Sequence, residues 1–307
     1  MPEHLPPTID PIAAARWHAL LPGAATGQAA GESPWLHEEV ARRMQERLPW
    51  LVQKPVAWCD WDPLRGGLQG HALVAAQYPQ AISHWVETSS PQGQARLQAH
   101  LARPWWSRSR WTGQAARLGL PEAGSVQLLW ANMALHMAAD PRALMQQWQR
   151  ALAVGGYLMF SCLGPDTLRE LRALYAQQGW PAPSHSFTDM HDWGDMLLQA
   201  GFAEPVMDME RITLTFASPE RLLQELRGLG RNLQPQRFAG LRGRGWLQRL
   251  HQGLRQQLVT PGSDGTLVLT FEIVYGHAIK AAPRVPVGDE STVSLQDMRA
   301  MLRAPRA

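Results

Sequence analysis

Ser125-Val126-Gln127-Leu128-Leu129-Trp130-Ala131-Asn132, followed by Asp140-Pro141 and a run to Leu152, and then by Val154-Gly155-Gly156-Tyr157-Leu158-Met159-Phe160-Ser161-Cys162, is the stretch that decides the fold. The first and last pieces are short apolar runs bounded by turn residues, the pattern of buried strands. Between them the spacing predicts a helix over Pro141–Leu152, with Asp140 as its N-cap and proline in its first turn. Strand, helix, strand at this spacing is a βαβ unit.

The same alternation extends upstream. Val56–Trp61 reads as a strand, Asp62-Pro63-Leu64-Arg65-Gly66-Gly67 as a turn, and Leu68–Tyr78 as a helix. Ala81–Glu87 is a second strand, stopped by Thr88-Ser89-Ser90-Pro91, and a helix follows over Gln92–Ala102. A short strand is expected near Arg108–Thr112. Ser33-Pro34 opens an earlier helix, with Ser33 as N-cap and Leu36, Val40, Met44 and Leu48 on its apolar face. Downstream come helices at about Pro165–Gln178 and Thr188–Ala200, the second stopped by Gly201. An extended run Pro205–Phe216, a mostly helical arginine-rich stretch Ser218–Leu258, and a last strand Thr266–Lys280 complete the pattern. The fold class is therefore α/β: a doubly wound, mostly parallel sheet with helices on both faces and an antiparallel last strand. Residues 1–33 read as a loose segment, 34–280 as one domain with a helical insertion at about 165–260, and 281–307 as a flexible tail.

Composition narrows the classes. The chain has 307 residues, 45% of them hydrophobic, which suffices for a substantial core. Two cysteines, Cys59 and Cys162, are too few for a disulfide framework, and both sit in apolar runs, as suits a reducing cytoplasmic compartment. No apolar run reaches the ~18 residues of a membrane span, and MPEHLPPTIDPIAAARW lacks the basic-then-apolar order of a secretory signal. The net charge of +3 is too mild for a general nucleic-acid binder. Histidine and cysteine show no metal-ligand spacing, so no metal is expected. Fourteen tryptophans are unusual for this length.

The reaction is suggested by particular strings. Trp130-Ala131-Asn132-Met133-Ala134-Leu135-His136-Met137 resembles the segment after strand four of S-adenosylmethionine (SAM)-dependent methyltransferases. Leu152-Ala153-Val154-Gly155-Gly156-Tyr157-Leu158 resembles their turn into strand five. Gly164-Pro165-Asp166-Thr167-Leu168-Arg169-Glu170-Leu171-Arg172 is narrower. So are Asp189–Asp192, Gly194–Leu197, Ala200–Phe202, Pro205–Asp208 and the closing Leu269–Ala278. These resemble the malonyl-carrier-protein O-methyltransferases of biotin synthesis, over about residues 34–280 and most clearly from 125 onward. The resemblance implies a Rossmann-like class I fold, SAM as cofactor, and methylation of the free carboxylate of a malonyl thioester on an acyl carrier protein.

The resemblance also exposes departures. The family follows strand one with a glycine-rich turn, because backbone must approach the methionine part of SAM. Here Asp60, Trp61, Asp62 and Pro63 precede Gly66-Gly67. Either Gly66 and Gly67 form a displaced cradle with Asp60 or Asp62 contacting the SAM amino group, or tryptophans fill the old pocket. Glu87, at the end of strand two, matches the acid that accepts ribose hydroxyls. Gln114 stands where an adenine-reading acid is usual, and its amide oxygen can still accept. Asn132 and His136 fall on the cofactor side of the strand-four segment. Methylating a carboxylate ionised near pH 4 requires no base, so the resemblance implies a positioning cation: Arg169 or Arg172, or else Arg227 or Arg231. The arginine run from Arg221 to Arg255 is either a dock for an acidic carrier protein or a solvated helix face. Two functions remain open: an active methyltransferase, and a catalytically impaired homologue that binds a carrier protein or an active partner.

Overall fold

The computed structural model describes residues 9–21, 33–51, 53–87, 90–102, 115–259 and 265–282. Seven strands form one sheet: β1 (Ala57–Trp61), β2 (Ile82–Val86), β3 (Ala116–Leu118), β4 (Val126–Ala131), β5 (Leu152–Leu163), β6 (Phe202–Phe216) and β7 (Leu267–Lys280). Their order is β3-β2-β1-β4-β5-β7-β6. The first five are parallel, and β7 runs antiparallel between β5 and β6. The last strand is thus next to the edge, and β6 is the edge itself. Arg108–Thr112 and Gln114 lie outside the described residues; the strand beside β2 is Ala116–Leu118.

Successive residues of β1 serve opposite faces, as a pleated strand requires. Trp58 packs with Leu36, Val40 and Met44 of α2 (Trp35–Gln45) on one side. Cys59 and Trp61 pack on the other with Trp148 of the Pro141–Ala151 helix and Trp193 of the Met190–Gln199 helix. Both cysteines are buried and free. Among the described residues no helix is long and apolar enough to cross a membrane.

Two local readings change. The N-terminal segment holds a helix, α1 (Pro11–Ala19), capped by Asp10, whose carboxylate accepts from the amides of Ile12 and Ala13. Its Ala14 and Trp17 are buried with Ile9, Met137 and Leu233. Ser33 does not cap α2; its hydroxyl donates to the carboxylate of Glu38. Glu38 accepts in turn from the amides of Gln69 (3.3 Å) and Gly70 (2.9 Å) at the start of α4 (Leu68–Gln77). A carboxylate there satisfies orphan donors and complements the helix dipole.

The turn after β1 is closed by these contacts. Asp62 is left-handed (φ 56), Pro63–Gly66 makes one short helical turn, α3, and Gly67 has φ 124. Asn132, after β4, donates to the carbonyls of His37 (2.8 Å) and Gly66, and accepts from Ser161 Oγ at 2.6 Å. The His37 ring donates through Nδ1 to the Arg65 carbonyl at 2.8 Å.

Asn132→Leu keeps the volume and removes those bonds. About 1–3 kcal/mol is lost for each buried group left unpaired, so the urea unfolding midpoint falls clearly; an unchanged midpoint would rule the tie out. A second expectation concerns pH. Burial pushes His37 down from 6.5 to about 4. Below 6.5 the unfolded chain takes up a proton that the folded chain refuses, so this contribution is present above 6.5 and is lost as pH falls through about 4. His37→Asn removes the titration and keeps a donor. Its stability then declines less steeply with acid than that of the parent, measured by urea melts across that window; parallel curves would remove His37 from the account.

Candidate functional site

The strand order reverses between β1 and β4, and in open α/β sheets ligands bind outside the carboxyl ends of the strands at such a point. Two residues with left-handed backbone, Asp62 and Met133, sit there, one after each strand. Such conformations cost energy and cluster at functional sites.

Two cavities open beside this point. The first, about 270 Å³, is walled by Trp61, Asp62, Val86, Glu87, Ala134, Asp140 and His18. The second, about 250 Å³, is mostly apolar, with Leu163, Leu168, Leu171, Tyr175 and Phe271 beside His136, Arg227 and Arg231. A neck of about 20 Å³, lined by Trp17, His18, His37, Asp62, Arg65 and Met137, lies between residues of both. That is room for about one water.

The first cavity carries the acids. Asp62 and Glu87 stand within hydrogen-bonding reach of each other. Burial raises the Asp62 carboxyl, against the pull of Arg65, whose guanidinium is 3.4 Å away. Glu87 accepts from the Ser90 amide at 3.2 Å and packs against Gly93, where a Cβ would come within 2.9 Å of its carboxylate. Arg65 closes the neck: it donates to the carbonyls of Trp17, His18 and Leu20 at the end of α1 and lies over the Trp17 ring at 4.6 Å. Arg231 faces the same ring at 5.1 Å.

The structure therefore divides the residues named from sequence. Asp62 and Glu87 share the first cavity and His136 lines the second. Asp60 lies behind, its carboxylate 2.7 Å from the His71 ring, which is stacked against Trp58 and Trp85. Burial raises Asp60, opposed by His71. Gly66, Gly67 and Asn132 belong to the turn itself. A Cβ on Gly66 would stand 3.0 Å from the Asn132 carbonyl, and one on Gly67 2.5 Å from Glu38. Their smallness admits protein groups. Arg169 and Arg172 line neither cavity: Arg169 is half exposed beside Asp166 and Glu170, and Arg172 donates to the Pro165 carbonyl. The arginines of the second cavity are Arg227 and Arg231. Trp17, His18, His37 and Arg65 had no place in the sequence reading of the site. Asp10-Pro11, an N-cap followed by proline, was the available signal for the first two. Among the described residues no cluster of three or more His, Cys, Asp or Glu side chains could hold a metal.

Tested against SAM, the residues fit in one half. The first cavity has room and acids for a ribose-bearing group. Beyond that cavity the space narrows to the neck of about 20 Å³, held by Arg65 and Trp17, which is too small for the methionine half of SAM in this arrangement.

No family model matches the chain. The malonyl-acyl-carrier protein O-methyltransferase of Gallionella capsiferriformans (strain ES-2) is 38% identical over 263 residues, covering 81% of this chain and 86% of that protein. The enzyme of the same name from Laribacter hongkongensis (strain HLHK9) is 36% identical over 258 residues, covering 81% and 84%. Among solved structures, the YcgJ protein of Bacillus subtilis superposes with a TM-score of 0.51 at 13% identity, covering 80% of this chain and 100% of that one, a likeness of fold alone. With such identity sustained over four fifths of its length, the chain belongs to the malonyl-acyl-carrier protein O-methyltransferase family.

Proposed function

We propose that the chain is a SAM-dependent O-methyltransferase that methylates the free carboxylate of a malonyl thioester held on an acyl carrier protein, the step its family name describes and which the sequence resemblance connects to biotin synthesis. The observation that carries this reading is the pair of cavities meeting at the Ala134–Met137 turn, one with ribose-suited acids and one apolar with two arginines.

When bound, SAM supplies an electrophilic methyl group. The chain's own contribution is positional. A malonyl carboxylate is ionised at neutral pH and needs no general base. Arg227 and Arg231 offer the cation that holds it, and the leucine, tyrosine and phenylalanine walls of the second cavity exclude water, which strengthens that attraction. Glu87 offers two acceptor oxygens to ribose hydroxyls.

A carrier protein has a matching surface to approach. Arg227 is exposed and borders the second cavity, and Arg244 and Arg249 are exposed on the Arg244–Gln257 helix. No ion pair engages these three among the described residues. Arg237 and Arg255, by contrast, are paired with Asp10 and Glu220. Phe238 and Leu241 are exposed nearby in sequence, so the stretch combines positive charge with apolar area, a combination suited to an acidic protein partner.

The filled turn sets the expected strength of cofactor binding. Admitting the methionine half requires α1 to leave the neck and Arg65 to give up its three carbonyl partners. Calorimetric titration of SAM is expected to give a dissociation constant of about 100 μM or weaker, roughly 5.5 kcal/mol of binding, together with methyl ester formation on malonyl-loaded carrier protein seen by mass spectrometry. Submicromolar binding would defeat the argument from the turn; absence of ester at saturating SAM would defeat the proposed reaction. Glu87→Ala is expected to weaken binding of the demethylated product S-adenosylhomocysteine by about 1.5–3 kcal/mol, as for a hydrogen bond to a charged group. Unchanged affinity would take Glu87 out of the ribose site.

A further inference from the structure

We propose that His136 belongs to the acceptor side of the site, where one ring N–H binds the thioester carbonyl oxygen of the malonyl group; this rests on the acceptor named above. His136 sits on the 3-10 turn Leu135–Met137, directly after β4. It lines the second cavity and not the first. Its side of the strand-four segment is therefore the one that carries Arg227 and Arg231.

His136 is 5% exposed, and neither Nδ1 nor Nε2 has a hydrogen-bond partner among the described residues. Buried polar groups are rarely left so, and each instance calls for an explanation. Here three residues with such atoms line one cavity. Ser184 Oγ and His185 Nδ1, both buried, are likewise without partners, and both residues line the same space. The wall is also held in place. His185 donates through Nε2 to the His136 carbonyl at 3.0 Å, and Phe187 packs edge-on against the His136 ring with centroids 6.0 Å apart.

The chemistry separates the roles of the two kinds of polar group. A malonyl thioester presents a charged carboxylate at one end and a neutral carbonyl beside sulfur. Arginine is always protonated and suits the carboxylate. Burial keeps the His136 imidazole neutral, an effect increased by the nearby rings of His37, His185 and His18. A neutral imidazole has one donor and one acceptor. Its donor matches the carbonyl without adding a second positive charge to a confined site. This arrangement selects a thioester with a carboxylate one carbon away over a plain carboxylate.

The test compares malonyl-pantetheine with its thioether analogue, in which the thioester carbonyl is reduced to a methylene. Binding of each to the full chain is measured by calorimetry, with no need of turnover. The parent protein binds the thioester about tenfold more tightly, the size of one good hydrogen bond. His136→Phe binds the two alike, keeps the parent affinity for S-adenosylhomocysteine and keeps its melting temperature. His136→Gln, which retains a donor, restores part of the preference. His136→Leu supplies the same comparison if the phenyl ring does not pack. A parent protein that binds neither ligand, or binds both equally, overturns the inference. So does a preference that survives in His136→Phe or His136→Leu, or a loss of S-adenosylhomocysteine affinity in step with that of the thioester. The ester-forming assay stands apart: its failure with intact thioester binding sinks the reaction and leaves His136 in the acceptor site.

Discussion

One carboxamide holds the arrangement on which the site depends. Asn132 leaves the end of β4 and joins three segments distant in sequence: His37 on α2, Gly66 in the strand-one turn, and Ser161 on β5. All its bonds are buried, so each is costly to break without replacement. With Gly66 fixed in this way, α3 and the start of α4 cannot spread to form an open cradle. Glu38 then occupies the amides at the head of α4, and Gly67 has no side chain to obstruct it. The Arg65 and Gly66 carbonyls of the strand-one turn and the amides at the head of α4 are thus answered from within the chain.

Charge balance is consistent with the same closure. Asp62 and Glu87 lie close together at the carboxyl ends of β1 and β2, and two carboxyls confined there call for a shared proton or a cation. Arg65 is that cation, set beside Asp62 at 3.4 Å. It also anchors α1 through three carbonyls and the face of Trp17. Closing the neck and balancing the acids are therefore done by one side chain. A ligand with its own positive charge meets acids that Arg65 already partly neutralises.

Much of the fold was legible because the local signals agreed with one another. Asp140-Pro141, Ser90-Pro91 and Ser218-Pro219 each begin a helix capped by the side chain that precedes proline. Gly201 ends one at φ 90. β1, β4, β5 and β7 are apolar runs whose alternation the sheet divides between two cores. Where local signals had a competing use, the reading went astray. Ser33-Pro34 has the form of a cap, yet the Ser33 hydroxyl is drawn to Glu38, whose position is set by α4, a partner about thirty residues away. Asp10-Pro11 stood in a segment rich in Pro, Ala and Gly, and the composition hid a helix whose stability comes from burying Trp17 against Met137 and Leu233. The place of Glu87 beside a cavity was legible from its position at a strand end. Which of the four arginines named from sequence border a cavity was not, because that depends on which face of a later helix turns inward.

That difference bears on how the family's reaction can persist in a chain with an altered turn. Affinity for a two-part ligand is the sum of what its parts gain, less the cost of reshaping the protein to admit them. The first cavity is formed and carries the acids, while the neck beside it is narrowed by Trp17 of α1 and by Arg65. Residues of α1 carry their contacts on one helical face: Asp10 to Arg237, Trp17 to Arg65 and Arg231, and the terminal carbonyls to Arg65. All three named partners are cations, and two of them, Arg65 and Arg231, line the neck and the second cavity respectively. A carboxylate entering that cavity competes for Arg231, which also faces the Trp17 ring. Arg231 is thus shared between the second cavity and one of the holds on α1. A narrow neck in the unliganded arrangement therefore does not by itself argue against the family's reaction, because one side chain, Arg231, serves both the neck's closing helix and the second cavity.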